Sequence, residues 1–62
     1  MSTYYIDEQM LGPEATEKNA RLMVDLLREH GHDVEYGHNM NREEPPFNDN
    51  EWQECLDLIS KM

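Results

Sequence analysis

Apolar positions along this chain fall into four short patterns separated by Gly, Pro and charged residues. Thr3-Tyr4-Tyr5-Ile6 is β-branched and aromatic, which suits a short strand with Tyr4 and Ile6 on one face and Tyr5 on the other. Residues 7–11 form a connection in which Met10 and Leu11 are expected to be buried. Gly12-Pro13-Glu14 is read as a helix start, because proline suits the first helical position, where its missing N–H leaves nothing unpaired. Ala20, Met23, Val24 and Leu27 then recur at helical spacing as a core stripe, widened by Leu22 and Leu26. Glu14 with Lys18, and Glu17 with Arg21, stand in the favourable i,i+4 order on the opposite face. Gly31 is placed to stop the helix in a left-handed conformation, with His30 in the last turn.

Residues 32–37 alternate again, Val34 and Tyr36 against Asp33, Glu35 and Gly37, and predict a second strand. Strand, helix, glycine, strand is the sequence form of a βαβ unit with parallel strands and a right-handed crossover. An antiparallel pair with the helix on one face is the alternative. After a polar loop ending in Pro45-Pro46, Asn48 and Glu51 have the spacing of a capping box, and Phe47 and Trp52 that of a hydrophobic staple. Trp52, Cys55, Leu56, Ile59 and Met62 continue as the apolar face of a second helix that runs on to the C-terminus. The expected fold class is a small two-layer βαβα domain of α/β (α+β) type. Its short two- or three-stranded sheet packs against two helices, with residues 37–42 as the candidate third strand.

Length changes this picture. A chain of 62 residues makes one domain, and such a domain buries only about 60% of the surface its unfolded form exposes. Small scaffolds lean on disulfides, metals, oligomerisation or very regular packing. Cys55 is the single cysteine, so no internal disulfide forms. Edge-to-edge pairing into a homodimer is therefore an expected remedy for so short a sheet. One thiol, and no apolar run fit for a signal peptide or membrane span, fit a cytoplasmic setting.

Charge changes it further. The formal net charge is −9, and ten of the fourteen acidic residues lie outside residues 12–31, where only Arg42 and Lys61 oppose them. Such a balance disfavours nucleic acid and anionic membranes and favours a basic protein partner. The candidate partner-binding carboxylates are Asp33, Glu35, Glu43, Glu44, Asp49, Glu51, Glu54 and Asp57. Glu51, Glu54 and Asp57, three apart, are read as one exposed flank of the second helix, and Tyr5, Tyr36 and Phe47 as candidate aromatic anchors.

Catalytic chemistry finds less support. His32 and His38 on one continuous strand would stand about 20 Å apart, too far for a shared metal. His30 and His32 straddle Gly31 and could converge with Asp33, but a structural zinc site wants four ligands; they are read as a helix cap and surface residues. Cys55 falls on the core stripe as a small apolar residue rather than a nucleophile. The carboxylate pairs Asp7-Glu8, Glu43-Glu44 and Asp49-Glu51 lack a core large enough to desolvate them for acid–base work. No phosphate-binding loop, EF-hand or nucleophile elbow is present. The chain is expected to be non-enzymatic, without cofactor or metal. In size and charge it resembles the small acidic inhibitors of phages and mobile elements, anti-CRISPR proteins among them, a likeness of class carried by no shared motif. That resemblance implies a DNA mimic that occupies a partner's nucleic-acid-binding surface. The alternative is a homodimeric regulatory or interaction domain whose acidity serves solubility only.

Overall fold

A computed structural model of the chain describes residues 3–38 and 44–62. Strand β1 (Tyr4–Ile6) leads through a single 3-10 turn (Glu8–Met10) to helix α1 (Glu17–Glu29), strand β2 (Val34–Tyr36) and helix α2 (Asp49–Ser60). The strands pair in parallel with Tyr4 opposite Val34, Tyr5 opposite Glu35 and Ile6 opposite Tyr36. Hydrogen bonds from Tyr4 N to the Asp33 carbonyl (3.1 Å) and from Gly37 N to the Ile6 carbonyl (3.0 Å) extend the ladder at its two ends. The parallel βαβ reading is therefore correct. Among the described residues the sheet has two strands. Gly37 and His38 lie outside strand geometry, and residues 39–42 of the candidate third strand lie outside the described residues.

The two helices and one face of the sheet enclose the core. Tyr4, Ile6, Met23, Val24, Leu27, Val34, Cys55 and Ile59 form one buried cluster, with Met10, Leu11, Leu22, Leu26, Phe47, Trp52 and Leu56 packed around it. Alternation along β1 holds as read: Tyr4 and Ile6 are buried and Tyr5 is exposed. Helix α2 begins where its local signals place it. Asn48 accepts from Glu51 N (2.9 Å), Asn48 N donates to Glu51 Oε1 (3.3 Å), and the Phe47 and Trp52 rings stack at 5.3 Å. It ends at Ser60, which leaves Met62 exposed rather than on the apolar face.

Helix α1 starts later than its proline suggested. Gly12 sits in the left-handed region at φ 136°, and residues 12–15 form a turn closed by Ala15 N donating to the Gly12 carbonyl (3.3 Å). Thr16 is the N-cap, and Asn19 completes a capping box: Thr16 N donates to Asn19 Oδ1 (3.0 Å) while Thr16 Oγ1 accepts from Asn19 N (3.4 Å). This reciprocal pairing satisfies two otherwise unpaired backbone donors, so it sets the boundary more strongly than Pro13 does. Glu14 consequently lies outside the helix and forms no ion pair with Lys18 among the described residues, whereas Glu17 pairs with Arg21 at 2.8 Å. Thr16→Ala is expected to cost about 1 kcal/mol of stability, read as a lower urea midpoint at unchanged slope. At the other end Gly31 (φ 91°) closes α1. Gly31 N donates to the Arg28 carbonyl (2.9 Å) and His32 N to the Leu27 carbonyl (3.2 Å), the paired bonds of a Schellman motif. That closure delays β2 to Val34, so His32 and Asp33 precede the strand rather than belong to it.

Candidate functional site

The predicted carboxylates separate into three groups. Asp49, Glu54 and Asp57 stand exposed on α2, with Glu44 exposed just before it. Successive helix positions turn by about 100°, so Glu54 and Asp57 lie about 60° apart around the axis. Across residues 44–60 there is no Lys, Arg or His at all. Asp33 and Glu35 form the second group, on the sheet face that points away from the helices. The Thr3 hydroxyl donates to Asp33 (3.3 Å to Oδ2), and Glu35 Oε1 accepts from Arg28 (2.7 Å). Arg28 also donates from Nε to the Val34 carbonyl (3.0 Å), so one guanidinium ties α1 to the edge of β2 away from β1 and offsets the charge of Glu35. Glu43 lies outside the described residues.

Glu51 stands alone, and its assignment to an exposed flank is corrected. Its carboxylate is half-buried. One oxygen closes the capping box, and the other lies 2.7 Å from His32 Nε2 and 3.5 Å from His30 Nδ1. His30 and His32 do converge, as their spacing allowed, but on Glu51 of α2 rather than on Asp33. The His32 side chain is only 17% exposed, which corrects its reading as a surface residue. The hydrogen bond with His32 holds the Glu51 carboxyl below its ordinary range, helped by the Asn48 backbone N–H. Among the described residues no three His, Cys, Asp or Glu side chains are arranged to hold a metal ion.

A second polar cluster sits at the carboxyl ends of the strands. Asp7 is buried; its Oδ2 lies 3.2 Å from Nδ1 of the exposed His38, and its Oδ1 has no hydrogen-bond partner among the described residues. Tyr36 donates to Glu8 Oε2 (2.7 Å), and the Arg21 guanidinium lies 4.8 Å from the Tyr36 ring centroid. The bond to Glu8, which is lost when the phenol ionises, raises the Tyr36 pKa to about 12, with burial and nearby carboxylates adding to the effect. A folded pKa above the unfolded value of 10.0 favours the fold fully below pH 10 and loses that contribution as pH rises towards 12. Glu8→Gln is expected to bring the Tyr36 titration down towards pH 10, as followed by ultraviolet absorbance.

Cys55 is fully buried, and burial pushes its thiol up, with the Glu54 and Glu51 charges adding to the shift. An open groove of about 390 Å³ between residues 11–15 and the last turns of α2 is lined chiefly by apolar side chains, with Glu14 its one titratable group. Of the candidate aromatic anchors, Tyr36 is engaged with Glu8 and Arg21, and Phe47 is packed edge-on to Tyr4 and stacked on Trp52. Tyr5 remains exposed. No helix among the described residues is long and apolar enough to cross a membrane. No family model, curated protein or solved structure matches the chain.

Proposed function

We propose that this is a non-enzymatic acidic protein that docks on a basic, nucleic-acid-binding surface of a partner protein, in the manner of phage-borne DNA mimics and anti-CRISPR inhibitors. One observation carries the reading. The segment 44–60 projects Glu44, Asp49, Glu54 and Asp57 into solvent, and no ion pair neutralises any of them among the described residues. Like charges in neighbouring positions on one helix oppose folding by a few tenths of a kcal/mol per pair. A cationic groove would turn that cost into attraction and raise the association rate and specificity of the complex. Asp33 and Glu35 add a smaller acidic sector on the sheet.

The test is affinity capture from a host extract at low and high salt, followed by titration of the captured protein with the wild type and with a Glu44→Lys/Glu54→Lys/Asp57→Lys variant. The proposal expects affinity that falls steeply with salt, competition by DNA or RNA for the same partner, and at least tenfold weaker binding by the variant at an unchanged melting temperature. Salt-independent binding that survives the triple reversal would exclude it. Such a result would favour an interaction domain that uses its apolar surface.

A further inference from the structure

Resting on that reading and sharpening it, we infer that the sheet face left uncovered by the described residues grips the partner by taking an arginine side chain flat onto Tyr5. Purely parallel sheets are ordinarily covered on both faces. Here the helices cover the face bearing Tyr4, Ile6 and Val34, while the other face presents Tyr5 (39% exposed) beside its register partner Glu35. The Tyr5 ring is seated rather than loose. A Cβ added at Gly37 would come within 2.9 Å of Tyr5 Cδ1, so the ring lies against bare glycine backbone and its orientation is set before any partner arrives.

The charge around the ring selects the occupant. Glu35 stands opposite Tyr5 on β2, and Asp33 lies just before that strand. Glu35 engages Arg28 through Oε1, and the Asp33 carboxylate meets only the Thr3 hydroxyl, at 3.4 and 3.3 Å, among the described residues. An aromatic face next to a carboxylate fits a guanidinium, whose plane stacks on the ring while its N–H fork reaches the acid. A lysine ammonium cannot satisfy both in one plane. The fold already contains a related arrangement internally: the Arg21 guanidinium carbon lies over the Tyr36 ring at 4.8 Å while Glu17 holds its Nε at 2.8 Å. In this arrangement the α2 carboxylates supply the long-range field, and Tyr5 supplies the fixed point of contact.

Oligo-arginine and oligo-lysine peptides of equal length and label are the probes, read by fluorescence anisotropy at low salt. The wild type should prefer arginine by about two- to fivefold. Tyr5→Ser should erase that preference while keeping the affinity common to both peptides. Tyr5→Phe should retain it, and Gly37→Ala, which pushes the ring off its seat, should reduce it. Should Tyr5→Ser fail to fold by circular dichroism, Tyr5→Leu gives the same readout with bulk but no aromatic face. Absence of an arginine preference in the wild type, or its survival without the ring, overturns the inference and leaves the acidic-docking reading standing. So does sedimentation showing a dimer that Tyr5→Ser dissociates, because a second copy would then be the occupant. Failure of both peptides to bind at low salt removes the acidic-docking reading itself, and this inference with it.

Discussion

Leu27→Ala is expected to abolish cooperative folding. Leu27 is fully buried where α1 crosses the sheet, within the single cluster that joins β1, β2 and both helices. Truncating a buried leucine costs about 2–5 kcal/mol, more where the surroundings cannot collapse into the space. A single core in a chain of this length rarely supplies more than about 3–5 kcal/mol in total. Two short strands and two short helices leave little slack for collapse, so the loss should match the whole stability of the domain. Circular dichroism during urea titration should show a sigmoidal transition for the wild type and a shallow, featureless slope for the variant. Leu58→Ala provides the contrast. Leu58 is 45% exposed on α2, and its truncation should move stability by no more than about 0.5 kcal/mol. A variant Leu27→Ala that still unfolds cooperatively near the wild-type midpoint would show that stability comes from somewhere other than this cluster.

The fold was most legible where neighbouring residues state their own boundary. Asn48 and Glu51, with Phe47 and Trp52 around them, contain all the chemistry needed to start α2, and α2 starts there. Gly31 did the same for the end of α1. Pro13 misled because a proline tolerated at a first helical position is equally at home in a turn, and the turn won once Thr16 and Asn19 capped each other. Asparagine is a less familiar partner than Glu or Gln in that box, but its carbonyl accepts the same backbone N–H. The acidic surface was legible only in outline. Exposure of Glu54 and Asp57 followed from helical spacing. The withdrawal of Glu51 did not, because it depends on α2 laying its first turn beside the His30–His32 corner, a tertiary event with no local signature. Tyr5 illustrates the converse. Its outward direction followed from strand alternation, but the glycine seat that fixes its ring is supplied by Gly37, 32 positions away in the chain.

Glu51→Lys is expected to lower the melting temperature by about 10 °C or more, whereas the Glu44, Glu54 and Asp57 reversals should leave it within a few degrees. Glu51 does two structural jobs at once. Its Oε1 accepts the Asn48 N–H that closes the N-terminus of α2, and its Oε2 receives His32 at 2.7 Å with His30 at 3.5 Å. A lysine there would forfeit the cap, place a positive charge at the positive end of a helix dipole, and set an ammonium against two imidazoles. Glu51→Gln separates these effects, since its one amide oxygen still accepts from Asn48 N–H and closes the cap, while an uncharged amide nitrogen takes the place of the oxygen that faces His32. Because the folded carboxyl titrates below its ordinary 4.5, the charged form contributes stability above that pH. The contribution is lost as pH falls through the lower folded value. The wild type should therefore destabilise more steeply than Glu51→Gln as pH falls below the ordinary 4.5, with thermal melts at closely spaced pH values as the measurement. Parallel curves for the two proteins would mean that the imidazoles do not feel the Glu51 charge. The distinction bears directly on function. A charge-reversal set that included Glu51 would lose any partner binding of the kind proposed by loosening α2, and the loss would be mistaken for electrostatic recognition. Reversal confined to Glu44, Glu54 and Asp57 changes the field of the folded protein, so any affinity it removes belongs to the surface.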